Sequence, residues 1–109
     1  MSTPAVGDLF GSLAEPELGE VFEDLLRVGV VRIERIISSP CPEDTLYDQD
    51  DDEWVLLVRG EARLSLEDEE VRLRAGEYLF IPAHTRHRVL STSDSPRCLW
   101  LAIHVSRPG

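Results

Sequence analysis

The sequence predicts an all-β sandwich or barrel preceded by one short helix. Three observations carry this. After residue 30, short segments alternate apolar and polar residues. Turn-forming residues punctuate those segments every 8–12 positions. Only one stretch shows a helical period, which disfavours folds that alternate strand with helix.

Residues 1–7 read as a loose start. Glu15 to Arg27 carries the helix signal. Pro16 suits a first turn, and Glu15, Glu17 and Glu20 complement the N-terminal dipole. Leu18, Val21, Phe22, Leu25 and Leu26 form one stripe at helical spacing, and Gly29 follows as a stop. The period then changes. Val30 to Ile37 is rich in β-branched residues and alternates, so it predicts a strand. Ser38 to Asp44 holds two prolines and reads as a loop. Trp54 to Val58 is an apolar run of strand length, closed by Arg59-Gly60. Glu61 to Glu67 and Val71 to Arg74 alternate, joined near Asp68-Glu69. Ala75-Gly76-Glu77 turns into Tyr78–Ile81, which Pro82 stops. His87 to Ser91 and Cys98 to Val105 complete the strands. The expected organisation is an arm and helix over 1–29 and a barrel over 30–109, one domain in all.

Composition removes several function classes. All 11 basic residues are arginine, so neither a Schiff-base lysine nor a phosphate-loop lysine exists, and no nucleotide cofactor is expected. A net charge of −10 argues against nucleic acid and anionic membranes as partners. No leader and no apolar run of about 20 residues is visible. Cys41 and Cys98 match no zinc spacing and read as reduced thiols, so a cytoplasmic protein is expected. The acidity is uneven: residues 1–53 hold 14 acids and 3 arginines, residues 54–109 hold 7 and 8.

Much of that charge lies in Tyr47-Asp48-Gln49-Asp50-Asp51-Asp52-Glu53. A calcium loop is excluded, because Glu53 stands where the turn glycine belongs and Arg59 at the twelfth position repels the ion. Read onward, Glu53 is followed after six residues by Gly60, and Gly76-x5-Pro82 is followed by His87. This pairing resembles the two short motifs of the cupin superfamily, roughly H-x-H-x3-4-E-x6-G and G-x5-P-x-G-x2-H-x3-N. The resemblance covers about residues 30–105 and implies a double-stranded β-helix, or jelly-roll, barrel.

Position by position, Glu53 and Gly60 fall on the first motif's glutamate and glycine. Gly76, Pro82 and His87 fall on their second-motif counterparts. Tyr47 and Gln49 stand where the first motif has histidines, His84 replaces the second motif's second glycine, and Ser91 replaces that motif's asparagine. The family's metal ligands are two histidines, a glutamate and a third histidine. The resemblance therefore implies a divalent metal (zinc, nickel, iron or manganese) held by Glu53, His87 and the weaker donor Gln49, with Tyr47, His84 and His104 as candidates to line the pocket.

Strand parity supports the placement. Tyr47, Gln49 and Glu53 share one parity if extended, and Glu53, Val55 and Leu57 share one face. A buried Glu53 needs a metal, a proton or His87 as partner. Both faces of Leu99–Val105 are apolar enough that the side taken by His104 stays open. The outer face Trp54, Leu56 and Val58 needs a cover: the N-terminal helix or a second subunit, since cupins often dimerise. The expected function is a metal-dependent cupin enzyme of dioxygenase, sugar isomerase or decarboxylase type. The alternative is a non-catalytic cupin that binds a small molecule without metal.

Overall fold

A computed structural model describes residues 4–108. Eight antiparallel strands form two sheets. They are β1 (Glu20–Val28), β2 (Val31–Ser38), β3 (Asp52–Arg59), β4 (Glu61–Leu66), β5 (Glu69–Arg74), β6 (Tyr78–Ile81), β7 (His87–Thr92) and β8 (Leu99–Val105). One sheet runs β1-β2-β8-β3-β6 and the other β5-β4-β7. The inward faces meet around Ile36, Val55, Leu57, Leu64, Ile81 and Trp100.

The expected helix is corrected: the described residues contain no α-helix, and Glu20–Val28 is an edge strand paired with β2. The physical reason is a bulge. Register slips between Asp24 and Leu26, so Leu25 is an extra residue opposite β2. The extra residue breaks strict alternation and leaves Val21, Phe22, Leu25 and Leu26 at helix-like spacing. Gly29, read as a helix stop, instead occupies the β1–β2 hairpin turn with φ +56.

The N-terminal arm lies against the outside of this sheet. Arg35 donates to the carbonyls of Leu9 (3.0 Å) and Gly11 (2.6 Å) and pairs with Glu23 at 2.9 Å. Phe10 lies over the Arg59 guanidinium at 4.9 Å. The arm covers the end of the face near Ile37 and Leu99, both buried. Farther along, Tyr78 and Phe80 of β6 remain 64% and 54% exposed beside Trp54 and Leu56.

β3 alternates as its sequence requires. Glu53, Val55 and Leu57 are buried, while Trp54, Leu56 and Val58 face outward and are half-buried. Gly60 turns the chain from β3 into β4 at φ +96. A Cβ there would lie 2.8 Å from Ser93 Oγ and 2.9 Å from Cys98, so the close approach requires glycine.

Candidate functional site

The polar residues of the interior gather in the lumen between the sheets. Its walls are apolar at Phe22, Ile36, Val55, Leu64, Ile81 and Val89. Into it project Glu20 of β1, Glu34 of β2, Glu53 of β3, His87 of β7 and His104 of β8, joined by Tyr47 and Gln49 of the acidic segment. The free space is about 50 Å³. One water needs roughly 10–15 Å³, so the lumen has room for an ion or a few waters but not for a whole sugar ring.

Backbone pairing sets this geometry. Tyr47 and His87 form an antiparallel bridge, with the Tyr47 N–H donating to His87 O (2.7 Å) and the reverse bond at 3.0 Å. The His84 N–H donates to Gln49 O at 2.7 Å. Asp52 anchors the other side: its Oδ1 accepts from Ala83 N–H (2.8 Å) and from Arg107 (2.7 Å). The Arg107 hydrogen bond holds the Asp52 carboxyl below its ordinary range. The acidic segment is thereby fastened along the mouth, and Tyr47 and Gln49 turn inward. The Tyr47 ring stacks on His87 at 5.5 Å.

Inside, the indole and imidazole N–H donors of the walls are already engaged. Trp100 Nε1–H donates to Ser38 Oγ at 2.9 Å, and Ser38 donates onward to Glu20 at 2.6 Å. His87 Nδ1 lies 2.9 Å from Thr85 O, an acceptor only, so Nδ1 carries the hydrogen and Nε2 is left to accept. His104 Nε2 lies 2.6 Å from Glu34 Oε1, and Arg32 donates to Glu34 Oε2 at 2.8 Å. That places a hydrogen on His104 Nε2, and in the neutral ring it leaves Nδ1 as an acceptor. His104 Nδ1 and Gln49 Oε1 are buried without a hydrogen-bond partner among the described residues. Glu53 Oε1 sits 4.0 Å from His104 Nδ1, beyond hydrogen-bond reach.

The lumen therefore holds an excess of acceptors. Burial pushes the Glu53 carboxyl above its ordinary range, against the pull of His104 and His87. Burial likewise raises Glu20, despite the Ser38 hydrogen bond, and raises the Tyr47 phenol, which stays a donor. As they stand, no three His, Cys, Asp or Glu side chains among the described residues cluster at ion-binding spacing.

The model of the cupin domain matches residues 43–104. A protein from Ralstonia eutropha JMP134, provisionally named a mannose-6-phosphate isomerase, superposes with a TM-score of 0.84 at 37% identity, over 95% of this chain and 100% of that one. The chain belongs to the cupin family. A cupin superfamily protein from Desulfitobacterium hafniense DCB-2 matches at TM-score 0.74 and 20% identity, over 87% of this chain and 84% of that one. KdgF from Halomonas sp. matches at 0.72 and 20%, over 83% and 81%. No curated protein matches the sequence.

In this cupin, Tyr47, Gln49, Glu53 and His87, which the motif resemblance aligns with the family's ligands, all line one lumen. His104 joins them, because Trp100, Ala102 and His104 are the inward parity of β8. His84 stands elsewhere. Its ring is two-thirds exposed on the rim, with Nδ1 3.2 Å from Asp48 and Nε2 3.7 Å from Asp50. Sequence reasoning missed Glu20 and Glu34. The usable signal for Glu34 was its parity with Ile36: a charged residue on the inward side of a central strand.

Proposed function

We propose that this cupin binds a divalent metal ion in its lumen through Glu53, His87 and Gln49 and acts on a small polar molecule at the barrel mouth. The observation that supports this reading is that two buried acceptors of the lumen, Gln49 Oε1 and His104 Nδ1, have no hydrogen-bond partner among the described residues. Glu53, Gln49, His87 and His104 line one lumen, and a cation is a partner that would satisfy their free acceptors together. Carboxylate, amide oxygen and imidazole suit zinc, nickel, iron or manganese. When bound, such an ion supplies a Lewis acid toward an oxygen of the substrate. Tyr47, neutral and stacked on His87, is the residue placed to give a hydrogen bond to that oxygen. Glu20, Glu34 and Glu53 disfavour an anionic group inside the lumen, so the part of the substrate that enters is neutral or cationic. The similarity to a protein provisionally named a sugar-phosphate isomerase supports a polyhydroxy substrate whose phosphate, if any, stays outside.

Thermal melting in the presence of each metal tests the reading. Saturation at one hundred times the Kd stabilises the fold by about 2.7 kcal/mol, a rise of several degrees. Loss of that rise in Glu53→Ala and His87→Ala is expected, and no rise with any metal contradicts the reading.

A second reading rests on the wide spacing of the side chains and the raised Glu53 carboxyl. A protonated Glu53 would donate to a bound molecule, and the protein would be a metal-free small-molecule binder. A melting rise with a polyol or keto acid, and none with any metal, favours it.

We further propose a homodimer through the outer face of β3 and β6, where Tyr78, Phe80, Trp54 and Leu56 expose a contiguous apolar patch. No helix of the described residues is long and apolar enough to cross a membrane. The free thiols Cys41, exposed, and Cys98, buried, support a reducing, cytoplasmic setting.

A further inference from the structure

We infer that His104 supplies, from β8, the second imidazole of the lumen's ion site, and that Glu34 is the residue that positions it. The inference rests on the metal-binding reading above. The first motif lacks both of its histidines, since Tyr47 and Gln49 occupy those positions, and a site of Glu53, His87 and an amide oxygen is thin in nitrogen donors.

The β-ladder places a replacement beside it. His104 lies directly opposite Glu53 in the β3–β8 register and opposite Arg32 in the β2–β8 register. Its ring is 3% exposed. Nε2–H is tied to Glu34 at 2.6 Å, and the other Glu34 oxygen accepts from Arg32 at 2.8 Å. A carboxylate fixed by an arginine on one oxygen and an imidazole on the other holds the ring in one orientation and one tautomer. This is the arrangement by which a second carboxylate orients a ligating histidine. The other ring nitrogen, Nδ1, is buried and has no partner among the described residues. It faces Glu53 Oε1 across 4.0 Å. That gap is too long for a hydrogen bond, and two donors about 2.1 Å from one tetrahedral ion stand about 3.4 Å apart, so the two side chains must close by about 0.6 Å to share one. Gln49 Oε1 is unpartnered in the same cavity. His104 thus uses one nitrogen and leaves the second unpartnered beside Glu53.

Co(II) titration followed by visible absorption and equilibrium dialysis tests the assignment. Wild type is expected to bind one ion per chain. His104→Gln is expected to weaken binding by more than tenfold and to alter the visible bands. Glu34→Gln, which keeps an acceptor but loses the charge, is expected to weaken binding by about tenfold. If wild type binds but His104→Gln matches it in affinity and spectrum, the His104 assignment is wrong while the metal reading stands. If wild type binds no Co(II), both are wrong. Because a variant of a buried residue can fail to fold, a second measurement uses the native lumen. In His84→Asn, which removes only the exposed rim histidine and tolerates the left-handed backbone there (φ 61), pulsed EPR of bound Cu(II) counts coordinated imidazoles. Two imidazoles, His87 and His104, are expected; a single one overturns the inference.

Discussion

Glu53 and His104 stand opposite each other across the β3–β8 ladder, with Glu53 Oε1 4.0 Å from His104 Nδ1. Neither atom satisfies the other. Around them, Trp100, His87 Nδ1 and His104 Nε2 already donate elsewhere. The interior thus carries an electrostatic demand for a cation or a proton. Burial raises the Glu53 carboxyl, so it keeps its proton to a higher pH than a free glutamate does. An ion that binds there competes with that proton, so affinity is expected to rise with pH across the range in which Glu53 titrates.

Gln49→His is expected to raise metal affinity. It restores an imidazole at a position that already lines the lumen, in place of an amide oxygen without a partner. Dialysis against Ni(II) or Zn(II) checks this, with a gain of tenfold or more expected. An unchanged or weakened affinity counts against the placement of Gln49 at the site.

The metal-free protein is expected to lose stability as pH rises through Glu20. Burial lifts the Glu20 carboxyl above its ordinary 4.5, so the folded state holds the proton more tightly than the unfolded chain. That contribution is fully present below the ordinary value and is lost as pH climbs through the raised one. Asp52 acts in the opposite sense. Its folded value lies below the ordinary 3.8, so its contribution is present above that value and lost in acid. Melting curves of wild type and Glu20→Gln between about pH 4 and pH 7 isolate the Glu20 effect. The variant, whose amide oxygen still accepts from Ser38, is expected to gain on wild type as pH rises.

Gly60→Ala is expected to destabilise the fold. The backbone at φ +96 alone costs about 1–3 kcal/mol for a residue with a side chain. The added methyl also meets Ser93 Oγ at 2.8 Å and Cys98 Cα at 2.9 Å. A fall in Tm of about 5 °C or more is expected. A neutral result would mean that the β3–β4 turn relaxes freely.

Phe80→Glu is expected to keep the fold, because Phe80 is half-exposed on the outer face of β6 and the lumen lies on the other side of the sheet. Sedimentation velocity is expected to show a dimer for wild type and a monomer for the variant. A monomeric wild type at tens of micromolar removes the dimer from the account.

The barrel was legible in the sequence where alternation was strict. In β3, the inward parity of Glu53, Val55 and Leu57 follows from period two alone, and the motif spacing brought Glu53 and His87 together across 34 residues. β1 was not legible. The bulge at Leu25 turned a strand's alternation into a helical stripe, and Pro16 and Gly29 supplied plausible helix ends. β8 was half-legible: Leu99, Leu101 and Ile103 compete with Trp100 and Ala102, and only pairing with β3 on one side and β2 on the other decides that His104 faces inward. The His104–Glu34 contact joins residues 70 apart that match no local motif. Such a contact exists only once the β2–β8 register is set.

Crystals grown with Zn(II) or Co(II), with diffraction recorded on both sides of the metal's absorption edge, would show whether an ion sits between Glu53 and His87. One anomalous peak is expected in the lumen, contacted by Glu53, His87 and Gln49, with His104 as the second imidazole. A lumen without a peak, in crystals whose metal sits only on surface sites such as His84 with Asp48 and Asp50, would contradict it.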